Sequence, residues 1–332
     1  MHLTSIKGTL ACRVSNQNLR EKPPVTEPWC VLLAGREDPQ RPKMTAHGHS
    51  AAQRPALNNR DPLTTALRRA TAVTSLDQIA AVIAGPADHW RQGSLSELGI
   101  RNLFVQPKHQ GTAYEVLLAL LMLENRISPS TAVLFLPADC IVNDEVVMTN
   151  SLASMAEWIV EEPGPVYLLG AVPEGPHDQL GYIVPWHDVM LMPTGVYEFV
   201  ERPDVQRARQ LINTGGLWNT FIFGGSLASL IQLFRPRFDA AIAELRAALR
   251  SDDIAPDLVR AYNKLTSVDF SQELLARQID NLKVLRLLRC GWWPLKPPSP
   301  TALARPHLHP SSQADQGTIL SHPILVGHVS PL

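Results

Sequence analysis

The sequence predicts an α/β fold, a mostly parallel mixed sheet with helices on both faces. Three observations carry the prediction. Continuous apolar runs of strand length, WCVLLA at Trp29–Ala34 and VLFL at Val133–Leu136, read as strands buried on both faces. Segments with helical spacing alternate with such runs, the pattern of strands joined by crossover helices. The second run stops at Pro137, and a carboxylate, Asp139, follows two residues later, where parallel sheets open a ligand crevice.

In chain order, residues 1–27 are polar and include Lys22-Pro23-Pro24, which predicts a loose leader. Trp29–Ala34 is the first strand and Gly35 stops it. Arg36 to Arg60 is polar and rich in turn formers, a long loop. Pro62–Val73 places Leu63, Ala66, Leu67 and Ala70 on one helical face. Ile79–Ala84 reads as a strand ended by Gly85-Pro86, and Leu103–Val105 as a short one broken by Gln106-Pro107. A Gly111-Thr112 step opens an apolar helix over Ala113–Leu123, and the strand that precedes Asp139 follows. A helix over Glu145–Val160 and a buried strand over Val166–Val172 come next. Leu180–Pro185 and Val196–Glu201 read as two shorter strands around a turn at Pro193–Gly195, expected as a hairpin laid over the crevice. Gln206–Ile212 is a short helix ended by Gly215-Gly216, and Leu217–Phe223 an aromatic-rich segment with one amide, Asn219, in its middle. Helices over Ala228–Phe234 and Phe238–Leu249 and a last strand over Val284–Leu288 follow. From Pro294 onward, eight prolines in 39 residues without a period predict a disordered tail.

The 332 residues suffice for one large or two modest domains, and a core of that size needs no covalent staples. Thirty basic residues against 31 acidic ones give no basis for a nucleic-acid partner or an anionic membrane surface. Cys12, Cys30, Cys140 and Cys290 lie far apart without a CxxC pair, which argues against a zinc knuckle or a disulfide framework. The N-terminus lacks a continuous apolar stretch, and the longest apolar run, Val116–Leu123, is too short to span a bilayer. A cytoplasmic protein is expected.

Several residues carry two readings. Asp139 can serve chemistry at a strand end, or cap the following helix or turn. Asn219 is either a satisfied core amide or a ligand contact, since an amide in an aromatic strand is costly without partners. Glu201 and Arg202 can be an exposed ion pair worth little alone. The pairs His47/His49 and His307/His309 have metal-compatible spacing but lie in polar or Pro-rich stretches, and no structural metal is expected there.

Five segments together resemble the sugar-1-phosphate nucleotidyltransferases, and within them the mannose-1-phosphate guanylyltransferases. They are VQPKHQGTAYEVLLAL at Val105–Leu120, VLFLPADCIVND at Val133–Asp144, LGYIVP at Leu180–Pro185, VYEFVERPD at Val196–Asp204 and GGLWNTFIF at Gly215–Phe223. The resemblance implies a Rossmann-like sheet of the nucleotide-diphospho-sugar transferase type over residues 28–293, flanked by the leader and by the tail at 294–332. It implies transfer of a nucleotidyl group from a nucleoside triphosphate, GTP favoured, to a sugar 1-phosphate, with Mg²⁺ as cofactor; a homo-oligomer is compatible with it. By the same resemblance Asp139 is the metal carboxylate, and Gly35, Gln106, Pro107, Gly111 and Thr112 belong to the nucleotide pocket. Gly181, Tyr182, Glu201 and Asn219 belong to the sugar pocket. Arg202 stands where a phosphate-contacting lysine is usual, keeping the charge but not the shape.

The chain departs from the family at two places. The expected glycine-rich phosphate loop reads Leu33-Ala34-Gly35-Arg36-Glu37-Asp38-Pro39-Gln40-Arg41-Pro42-Lys43, with one glycine, two added carboxylates, and Arg36 and Lys43 as the remaining candidate catalytic cations. The segment expected to bring a second metal aspartate after a tryptophan reads Cys290-Gly291-Trp292-Trp293-Pro294-Leu295-Lys296, without an acid. Loss of one oxyanion-type donor alone costs about 3 kcal/mol of transition-state stabilisation. A catalytically impaired relative that binds a nucleotide sugar as a regulatory or scaffolding subunit is therefore the alternative. A metal-dependent glycosyltransferase ranks below both, because Ala138-Asp139-Cys140 is not a DxD pair.

Overall fold

A computed structural model describes residues 27–34, 62–85, 95–187 and 192–294. The leader and tail expected from the sequence lie almost wholly outside these residues. So does the loop carrying Gly35, Arg36 and Lys43.

The chain begins with β1 (Trp29–Leu33), whose Cys30–Leu33 are all buried. Helix α1 (Pro62–Thr71) buries Leu63, Ala66, Leu67 and Ala70, the face its spacing predicts, together with Arg69. Strands β2 (Ile79–Ala84) and β3 (Asn102–Gln106) follow, then α2 (Thr112–Glu124). Helix α2 is apolar nearly all round because it lies between the sheet and three later helices, so every face meets protein. Strand β4 (Ala132–Pro137) is wholly buried and leads through β5 (Cys140–Ile141) into α3 (Glu145–Glu161). The buried residues of α3, Met148, Leu152, Met155 and Ile159, repeat at the helical period. Next come β6 (Val166–Ala171), β7 (Tyr182–Pro185), β8 (Thr194–Val200) and α4 (Val205–Asn213), started by the Asp204 cap on the Arg207 amide. The chain continues through β9 (Leu217–Ser226), α5 (Leu227–Leu233), α6 (Asp239–Leu249), α7 (Ile254–Lys264), α8 (Phe270–Glu273), β10 (Leu282–Leu287) and β11 (Trp293–Pro294).

Nine strands form one sheet in the order β3-β2-β1-β4-β9-β6-β10-β8-β7, and alternate residues of each buried strand feed two separate cores. Val31, Val82 and Phe135 point to the core shared with α2, α5, α6 and α7. Cys30, Leu32, Ala81 and Leu134 point to the core shared with α1, α3 and α4. Helices therefore cover both faces, as expected.

The strand directions correct the sequence reading. Only β1–β2, β2–β3, β1–β4 and β6–β10 pair in parallel, whereas β4–β9, β6–β9, β7–β8, β7–β9 and β8–β10 are antiparallel. Because β7 pairs with both β8 and β9, the second half of the sheet closes on itself. The expected hairpin over the crevice is thus part of the sheet. A continuous apolar run reports burial on two faces and says nothing about direction, which is why the sequence could not distinguish the two halves.

Candidate functional site

Parallel strands β1 to β4 end at one edge of the sheet, and two predicted site residues lie there. Gln106 is the last residue of β3 and is 0% exposed; its carbonyl accepts from the Gly85 amide at 2.7 Å. Neither polar atom of its side-chain amide has a hydrogen-bond partner among the described residues. Leaving a buried amide unsatisfied costs about 1–3 kcal/mol, so this side chain is poised for a partner that the described residues do not provide. Pro107 follows it, half-buried.

Asp139 occupies the two-residue turn between β4 and β5 and is half-buried. The helix that follows is capped by a different residue: the Asp144 carboxylate accepts from the Val146 and Val147 amides at 3.1 and 3.2 Å. The capping role that competed with chemistry for Asp139 therefore belongs to Asp144. Strand β11 pairs antiparallel with β5, setting Pro294 opposite Cys140 and Trp293 opposite Ile141, and the Cys290 carbonyl accepts from the Asn143 and Asp144 amides at 2.9 and 3.0 Å. The segment that the resemblance expects to bring a second carboxylate thus lies beside the Asp139 turn, where it presents tryptophans and a proline.

The same turn is held from the other side by α1. Arg69, 3% exposed, donates from Nε and Nη2 to the two Glu145 oxygens at 2.8 Å each, and from Nη1 to Cys140 Sγ at 3.1 Å. Burial pushes the Cys140 thiol up, with the Arg69 charge opposing, and pushes Cys290 up to about 11 and Cys30 to about 12. These thiols are structural and unreactive at neutral pH.

Three of the residues expected in the sugar pocket converge. A Cβ on Gly181 would lie 2.5 Å from Glu201 Oε2 and 3.3 Å from Asn219 Cβ, and the Gly181 carbonyl accepts from the Asn219 amide at 2.8 Å. Glu201 pairs through Oε1 with Arg202 Nε at 3.4 Å, and Arg202 Nη2 approaches Asp269 at 3.7 Å. Arg202 holds a left-handed φ of 48°, a backbone state that costs a non-glycine residue about 1 kcal/mol or more and concentrates at functional sites. Asn219 sits beside a break in β9. Phe221 also has positive φ, 59°, and its amide donates to Asn219 Oδ1 at 3.1 Å, while the Ile222 amide donates to Thr220 Oγ1 at 3.1 Å. The side chains thus satisfy amides that the irregular strand leaves unpaired.

Tyr182 does not join this cluster. It is 0% exposed in the opposite core, where its hydroxyl accepts from the His177 amide at 2.9 Å and from Trp218 Nε1 at 3.0 Å, and burial pushes its phenol up. Strand alternation accounts for the separation. Residues 181 and 182 face opposite sides of the sheet, and the aromatic one takes the packed side.

Gly111 and Thr112 at the start of α2 are engaged by the chain itself. Gly111 has φ of 85°, and a Cβ there would lie 2.2 Å from the Val268 carbonyl oxygen. The Ala113 amide donates to that carbonyl at 3.1 Å, the Val268 amide to the Gln110 carbonyl at 3.1 Å, and the Phe270 amide to Thr112 Oγ1 at 2.8 Å. Ser271 Oγ accepts from Asn219 Nδ2 at 3.4 Å, and Asp269 meets Arg202. Residues 268–271 therefore form a strap joining the α2 end of the crevice to the Glu201–Asn219 cluster. Phe270 anchors it by stacking on Phe223 at 4.8 Å, and Phe223 stacks in turn on Phe135 of β4 at 4.8 Å. Sequence reasoning missed this strap. Its visible signal is Asp269-Phe270-Ser271-Gln272, a capping box in which the Asp269 carboxylate accepts from the Gln272 amide at 3.0 Å.

Among the described residues no group of three or more His, Cys, Asp or Glu side chains could hold a metal ion. No described helix is long and apolar enough to cross a membrane.

A sheet of parallel and antiparallel strands between two helix layers, with a buried amide and a carboxylate at one strand edge and a polar cluster of Gly181, Glu201 and Asn219, defines a mixed α/β protein. The profile of the nucleotidyl transferase family matches residues 67–264, more than half of the chain, and the chain belongs to that family. Similar proteins include the alginate biosynthesis protein AlgA of Pseudomonas fluorescens, 32% identical over 131 residues, 38% of this chain and 26% of that protein. A mannose-1-phosphate guanylyltransferase of Sinorhizobium fredii is 26% identical over 179 residues, 53% of this chain and 34% of that protein. The matched regions span about a quarter to a third of the length of these relatives. Among solved structures, a mannose-1-phosphate geranyltransferase from Thermus thermophilus superposes with a TM-score of 0.63 at 22% identity, covering 81% of this chain and 76% of that one. A mannose-6-phosphate isomerase from Helicobacter pylori gives 0.62 at 14% identity over 81% and 100% of the two chains. These likenesses concern the fold.

Proposed function

We propose that the protein forms a nucleotide sugar of the GDP-mannose kind from a nucleoside triphosphate, GTP favoured, and a sugar 1-phosphate, releasing pyrophosphate. The observation that carries the reading is the buried, unpartnered Gln106 amide at the strand edge. An NH2 donor and a carbonyl acceptor with no partner among the described residues suit the edge of a nucleobase. The names of the mannose-1-phosphate guanylyltransferase relatives support the choice of mannose and GTP.

In the proposed reaction an oxygen of the sugar 1-phosphate attacks the α-phosphorus in line. A new P–O bond forms, the bond to the pyrophosphate oxygen breaks, and pyrophosphate departs with that electron pair. Glu201 and Asn219 accept and donate to sugar hydroxyls, and Gly181 leaves room for the ring against the backbone. Arg202, half-exposed beside them, faces the sugar phosphate charge. Arg36 and Lys43, outside the described residues, are the proposed cations for the triphosphate, with Gly35 giving the close backbone approach. Asp139 would hold Mg²⁺, and a single hard carboxylate fits an ion that keeps waters and takes its other oxygens from substrate phosphates. Such an ion supplies charge neutralisation at the phosphate oxygens when bound. The test is pyrophosphate release from GTP, mannose 1-phosphate and Mg²⁺; turnover no greater than that of Asp139→Ala would refute the enzyme.

A second reading rests on a specific observation: beside the Asp139 turn stand Trp293 and Pro294, with no acid. A member that binds a nucleotide sugar without turning over would show a thermal shift with GDP-mannose and no pyrophosphate release. No shift with any nucleotide or nucleotide sugar would remove it.

A further inference from the structure

We infer that Arg69 is a positioning residue for Asp139, an inference that rests on the reading of Asp139 as the metal carboxylate. The turn from Ala138 to Asp144 is fixed at its far end by the Asn143 and Asp144 amides on the Cys290 carbonyl, and at its start by a longer bond of 3.4 Å from the Ala138 amide to the Leu33 carbonyl. Asp139 lies near the weaker end. Arg69 grips the turn there through Cys140 Sγ at 3.1 Å, one residue from Asp139, beside the pairing of Cys140 with β11.

The chemistry favours a positioning role over simple packing. Burying a guanidinium is costly, and a well-packed apolar side chain of similar volume would serve a purely structural contact as well or better. What Arg provides and an apolar side chain does not is a rigid planar fork with donors on two sides. Here one side is taken by both Glu145 oxygens on α3 and the other reaches the turn, so one side chain of α1 links α3 to the β4–β5 turn. The turn is therefore held by a cation whose charge is already taken up by Glu145.

The test uses the full chain and compares GTP affinity by calorimetry with and without Mn²⁺, the ratio reporting how well the metal is held. Arg69→Lys keeps the charge but loses the fork, and is expected to shrink the Mn²⁺-dependent gain about tenfold, in the range seen when the partners behind metal ligands are removed. Metal-free GTP affinity should stay unchanged, which a general loss of structure would not allow. Cys140→Ala removes the Arg69 contact to the turn and leaves the Arg69–Glu145 pair, so it decides the matter if Arg69→Lys does not fold; a smaller loss of the same gain is expected. If Asp139→Ala loses the gain while Arg69→Lys and Cys140→Ala keep it, the positioning role is overturned and the metal reading stands. If Asp139→Ala itself keeps the gain, the metal reading fails first and takes this inference with it.

Discussion

Replacing Gln106 with leucine should move stability and ligand binding in opposite directions. The side chain is 0% exposed, and both its amide atoms lack partners among the described residues, so the folded protein carries their desolvation cost without recompense. Leucine is close in volume and has no polar atoms to satisfy, and removing an unsatisfied buried amide should stabilise the free protein by about 1–3 kcal/mol. For a domain of this size that corresponds to a rise in melting temperature of roughly 2–8 °C. Nucleotide binding should weaken by about tenfold or more, since the base edge would lose a donor and an acceptor in a dry pocket. Thermal melts and GTP titrations of the wild type and of Gln106→Leu measure both quantities. A variant that melts lower and binds GTP as the wild type does would refute the reasoning, because Gln106 would then be a packed residue satisfied within the chain.

Gly181→Ala should leave the melting temperature nearly unchanged while raising the KM for the sugar 1-phosphate several-fold. The new Cβ meets the flexible tip of Glu201 at 2.5 Å, so the carboxylate moves and the backbone need not; steady-state kinetics beside a thermal melt separate the two effects. Thr112→Val keeps the shape but leaves the Phe270 amide without its 2.8 Å acceptor, and should destabilise the protein by about 1–3 kcal/mol in denaturant unfolding. The hydrogen bond from Arg237 is the largest factor holding the Glu273 carboxyl below its usual value, with the nearby Arg277 charge adding to it. A depressed carboxyl pKa contributes stability that is present above the ordinary glutamate range and lost as pH falls through the lowered value. Glu273→Gln should therefore cost stability at neutral pH and narrow its difference from the wild type in acid, read by melts across pH.

Much of the fold could be read in the residues. The boundaries of β1, α1, β2, α2, β4 and α3 fall within two residues of the expected ones, because each is a run whose period or continuous burial is set locally. The elements missed are those whose signals are short or contradictory. Strands β5 and β11 are two residues each and exist only by pairing with one another. Helix α7 carries Pro256 in its first turn, where proline is tolerated, though in the bare sequence it reads as a break.

The candidate site divides along the same line. That Asp139 follows a buried strand, that Gln106 ends another, and that Glu201 and Asn219 stand at fixed distances along the chain were all determined by the order of residues. Only the tertiary structure decided which of them meet. Antiparallel pairing of β7 with both β8 and β9 brings Gly181 against Glu201 and Asn219 while alternation sends Tyr182 into the opposite core. Asp144, and not Asp139, receives the amides of α3. Residues 268–271 cross from one end of the crevice to the other, and Arg69 reaches Cys140 and Glu145 from 71 and 76 positions away. Periodicity and capping act over a few residues and leave a mark in any window of sequence. Contacts between distant segments depend on strand direction and register, which no local pattern encodes, and so the partners of a buried arginine or an orphaned amide become visible only once the sheet has closed.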